Sequence, residues 1–169
     1  MSVRFVMRAI PQDCELTRLA QADAPGLRSA MYLFMFEAST WRNFPDNEDY
    51  APVRRFRDAH PELVELYLDA GPFRHDHVAE ILLGMAAPPV TSIQKELAEL
   101  IQGDGRLLFD PPQYPALVPA SRVAEVARFL DTLDPSLDED NFPELLVDLK
   151  TFYHRAASVP GLAVVVSFW

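Results

Sequence analysis

The residues best suited to chemistry stand together at His75-Asp76-His77, with Glu80 close behind and Asp69 and Arg74 just upstream. Imidazoles and carboxylates are the ligands that zinc and other transition metals take. Two histidines flanking one residue point the same way only in an extended segment, whereas in a helix starting here they diverge by roughly 200°. Asp76 therefore reads as a helix N-cap with the histidines around the first turn, and no specific metal or cofactor is expected. If there is a small-ligand site, it is expected in the segment Asp69 to Glu80, at Asp69, Arg74, His75, Asp76, His77 and Glu80. The reason is that Gly71-Pro72 should force an irregular turn between two helices, and irregular backbone on a rigid scaffold is where sites are usually placed. Free N–H groups at a helix start, together with Arg74, would favour a carboxylate or phosphate. The competing reading is that Asp76 already fills those donors as a cap.

Other patterns are weaker. Ser92-Ile93-Gln94-Lys95 matches S-x-x-K, in which a lysine one turn away can help activate a serine, but the partner K-T-G is missing because Lys150-Thr151 is followed by Phe152. Asp134, Asp138, Glu139 and Asp140 resemble a calcium loop only in charge, since Pro143 stands where the glycine is needed when counting from Asp138. His60 and His154 stand alone and read as cap or surface residues. No glycine-rich phosphate loop and no nucleophile elbow occurs. No catalytic residue is assigned.

The elements that must position these groups follow from periodicity and punctuation. Ser2 to Ile10 alternates as a strand, and the almost wholly apolar Leu162 to Phe168, with three consecutive valines, reads as a strand buried on both faces. Both are expected in one sheet, with Val164 and Val166 among the most buried residues. Asp13 is placed to cap a short helix running to about Ala22. Leu27 to Glu37 is densely apolar and poor in β-branched residues, which favours a helix, and Ser39 to Pro52 reads as a long loop.

Helices are expected over Val53 to Ala59 and over Pro61 to Asp69, the second burying Leu63, Leu66 and Tyr67. Another should bury Val78, Ile81, Leu82 and Met85. Thr91 and Gln94 form a capping-box pair ahead of a helix with Ile93, Leu97, Leu100 and Ile101 on one face, stopped by Gly103. Arg106 to Phe109 and Ala116 to Val118 are short strand candidates. Ser121 starts a helix with the stripe Val123, Val126, Ala127, Leu130 and Leu133, and Pro143 to Ala157 carries Leu146, Leu149, Tyr153 and Ala156. Terminal strands with helices between them imply an α+β fold, a small sheet covered by helices.

Composition narrows the function. The 169 residues fit a single domain, and at 49% hydrophobic they can bury a core without metal or disulfide. Cys14 is the lone cysteine, so no intrachain disulfide is possible. Arg8 interrupts the only apolar run near the start, so no signal peptide is expected, and no apolar stretch approaches membrane length. A cytoplasmic location is the expectation. A net charge of −10 opposes binding to nucleic acid or anionic membranes and favours cationic partners.

The order of elements carries a resemblance. Glu65-Leu66-Tyr67-Leu68-Asp69, the helix ending Leu82-Leu83-Gly84, the entry Val118-Pro119-Ala120-Ser121-Arg122-Val123, and Leu149 to Ala157 before the closing strand resemble the YfbM-like bacterial family of unknown function. Where members follow Leu-Asp with lysine and tryptophan, this chain has Ala70-Gly71-Pro72-Phe73. The resemblance implies an α+β fold and no established activity. From the residues themselves the expected function is a non-enzymatic, acidic protein-binding or regulatory module, an immunity-type protein with a basic partner being one form. The alternative is a small hydrolase or metal-dependent enzyme built on the Asp69 to Glu80 segment.

Overall fold

The computed structural model describes residues 3–21, 48, 51–73, 77–103, 116–137 and 142–168. Expectations for Leu27 to Glu37, for Arg106 to Phe109, for most of Ser39 to Pro52 and for Asp138 to Asp140 lie outside them.

The fold is α+β. Strands β1 (Val3–Pro11), β2 (Tyr67–Phe73), β3 (Ala116–Val118) and β4 (Leu162–Phe168) form an antiparallel sheet in the order β2-β1-β4-β3. The helices are α1 (Glu15–Gln21), α2 (Ala51–Ala59), α3 (His77–Gly84), α4 (Ser92–Gln102), α5 (Ala120–Asp131) and α6 (Pro143–Ala157).

The two terminal strands lie side by side at the centre, with Met7 opposite Val166 and Ala9 opposite Val164. Val164 and Val166 are buried as expected, at 0% and 1% exposure. Alternation places Met7, Ala9, Val164 and Val166 on one face, and Val6, Arg8, Ile10 and Val165 on the other. All are buried, which is why β4 is apolar at each position from Leu162 to Val166.

Helices α3 to α6 each pack against the next, with α5 and α6 against β4 and α6 also reaching β2. The end of α4 meets the first sheet face, where Gly103 approaches Ala116 and Val166. Thr91 and Gln94 form the expected capping box, and Gly103 ends α4 in the left-handed conformation. The stripes of α3, α5 and α6 are buried as read, within one continuous core.

Several expectations need correction. Pro61 to Asp69 is not a helix: one 3-10 turn, Pro61–Leu63, leads into β2. Leu66 and Leu68 alternate with the less buried Tyr67 and Asp69, and the backbone pairs with β1, Tyr67 opposite Arg8 and Leu68 opposite Met7. Gly71-Pro72 is therefore no turn between helices but part of the edge strand, where the register against β1 shifts between Val3 and Phe5. An edge strand with a bulge tolerates proline because one side of its backbone needs no partner.

Ile93 is 58% exposed, and Ala98 joins Leu97 and Ile101 in its place. The stripe of α4 outruns its cover at the first turn. Asp13 is exposed and does not open α1; Cys14 stands at that position, its carbonyl accepting the Arg18 N–H at 3.1 Å.

Candidate functional site

The segment read as a ligand site is a strand-to-helix connection. Asp69 is exposed on the edge strand β2, His77 is the half-buried first residue of α3, and Glu80 is exposed one turn later. Arg74, His75 and Asp76 lie outside the described residues. The structure therefore brings His77 and Glu80 onto one helix but does not show the six residues converging. Among the described residues no group of three or more His, Cys, Asp or Glu side chains is arranged to hold a metal ion.

The start of α3 has an internal acceptor. The Ala79 N–H, a third-position donor that would face an incoming anion, donates to Gln102 Oε1 at 2.8 Å. Gln102 ends α4, so this cap is supplied across 23 positions of chain and leaves no local signature. A second cap of the same kind joins Gln12 Oε1 to the Ala120 N–H that opens α5, at 2.6 Å. Pro119, the residue before α5, offers no side-chain cap of its own.

The other motifs resolve into structural duties. Ser92 and Lys95 are exposed in the first turn of α4, where the Thr91 N–H donates to Gln94 Oε1 at 2.8 Å and the Gln94 N–H donates to Thr91 Oγ1 at 3.2 Å. Asp134 accepts the Ser136 N–H at 2.9 Å and its hydroxyl at 2.7 Å, which hold the carboxyl below its usual range. His154 Nε2 lies 2.9 Å from Asp131 Oδ1, tying α6 to α5. His60 packs its ring 5.0 Å from that of Phe56, with Nδ1 3.6 Å from Glu62.

Two large buried side chains carry polar atoms into the core, and the first of them escaped the sequence reading. Arg8, which looked like an interruption, is fully buried in the central strand β1. Its Nη1 donates to the Val64 carbonyl at 2.8 Å, and its guanidinium lies 4.7 Å from the centre of the Tyr67 ring. Burial pushes its pKa down to about 9, against the opposing pull of Tyr67 and Glu65. The available signal was its place between Val6 and Ile10 on one strand face. Tyr153 is also fully buried, and its hydroxyl has no hydrogen-bond partner among the described residues. Burial raises its pKa well above the ordinary tyrosine value.

Comparison of the chain with protein-family models, curated proteins and solved structures finds no match. Among the described residues no helix is long and apolar enough to cross a membrane.

Proposed function

We propose that this chain is an acidic, non-enzymatic protein-binding or regulatory module of the YfbM-like kind, acting in the cytoplasm on a partner with a basic surface. An immunity-type antagonist is the concrete form of that role. The observation that carries the reading is the disposition of the cations. Arg55 grips both carboxylate oxygens of Glu15, Arg122 bridges Glu96 and Glu125, Arg57 lies on Asp58, and Arg8 is buried. These four of the 15 basic residues are thus paired with carboxylates or buried.

Carboxylates at Glu65, Glu80, Glu99, Glu144 and Asp148 face solvent, in a chain with 25 acidic and 15 basic residues. The resulting field attracts a cationic protein over distances of a Debye length, about 8 Å at physiological salt, and repels phosphate backbones. Charge of this kind acts mainly on association rate and partner choice.

The test is capture by the tagged protein from its native host, followed by calorimetric titration of each purified candidate. A basic protein should bind stoichiometrically, more weakly as salt rises from about 0.05 to about 0.5 M. Combined Glu99→Lys, Glu144→Lys and Asp148→Lys should slow association by about tenfold or more. Absence of any such partner, together with near-stoichiometric zinc that is lost in His77→Ala, would replace this reading with a metal-dependent enzyme.

A further inference from the structure

We draw no further inference here: the strongest candidate, the outward face of α6 where Val147 is 60% exposed between Glu144 and Asp148, is an unpartnered surface patch, and nothing in the structure shows what covers it.

Discussion

Gln102 Oε1 accepts the Ala79 N–H at 2.8 Å, so the last residue of α4 caps the first turn of the helix that precedes it. The two helices pack against each other, and the bond fixes how the end of one meets the start of the other. The same contact occupies a donor that an anion at the His77 end would need.

Gln102→Ala removes that acceptor and is expected to lower the unfolding free energy by about 1–2 kcal/mol, the usual effect of losing a cap. For a chain of this size the melting temperature should fall by about 2–4 °C per kcal/mol. Gln102→Glu keeps an acceptor, and its charge favours the start of α3 but opposes the negative end of α4, so it should recover most of the loss without exceeding the parent at neutral pH. Urea unfolding of the three proteins checks both expectations; an unchanged midpoint in Gln102→Ala would contradict the capping role.

Tyr153→Phe removes a buried hydroxyl that has no partner among the described residues, and it is expected to be neutral or stabilising by up to about 1 kcal/mol. The pH dependence carries a distinct signature. Because burial raises the folded pKa, the unfolded chain loses this proton first, above about pH 10, while the folded chain keeps it. Stability is fully present below that pH and falls above it, by up to about 1.4 kcal/mol per pH unit from this group. The phenylalanine variant should lose that part of the alkaline decline, as measured by denaturant unfolding at several alkaline pH values.

Arg8→Ala is expected to be among the most damaging single substitutions, at about 3 kcal/mol or more. It opens a cavity in the central strand, removes the donor to the Val64 carbonyl and ends the contact with Tyr67. Arg8→Lys supplies one charged donor but not the planar guanidinium, so it should recover only part of the loss. Thermal melts of the two variants decide this, and an Arg8→Ala protein as stable as the parent would show that the buried cation contributes nothing.

Two glycines separate backbone strain from crowding. Gly103 has φ +74°, and an added Cβ would lie 3.2 Å from both Ala116 Cβ and Val166 Cγ1; Gly161 has φ +82°, and among the described residues nothing would lie within 4 Å of its added Cβ. Gly161→Ala should therefore show the left-handed penalty alone, about 1–2 kcal/mol. Gly103→Ala should exceed it, because the neighbours belong to the packed β3–β4 pair and must also give way. Equal midpoints for the two variants would contradict the close approach.

Local signals in the chain determined much of the fold. The valine run at 164–166 read as a strand covered on both sides, the Thr91 and Gln94 pair as a helix start, and the stripes of α3, α5 and α6 announced their buried faces at helical spacing. Each of these depends on residues within a few positions of one another, and the charge that suggests a basic partner is likewise a property of composition. The tertiary structure decided what non-local pairing governs. Leu63, Leu66 and Tyr67 satisfy a helical spacing, while Leu66 and Leu68 satisfy an alternating one; hydrogen bonding to a strand some 60 residues away selected the strand. That choice turned Gly71-Pro72 from a presumed turn into an edge bulge and removed the turn from the reasoning for a site, while the helix start at His77 remained. The caps from Gln102 and Gln12, and the burial of Arg8 beneath Tyr67, were equally hidden, because each joins groups that only the folded backbone brings together.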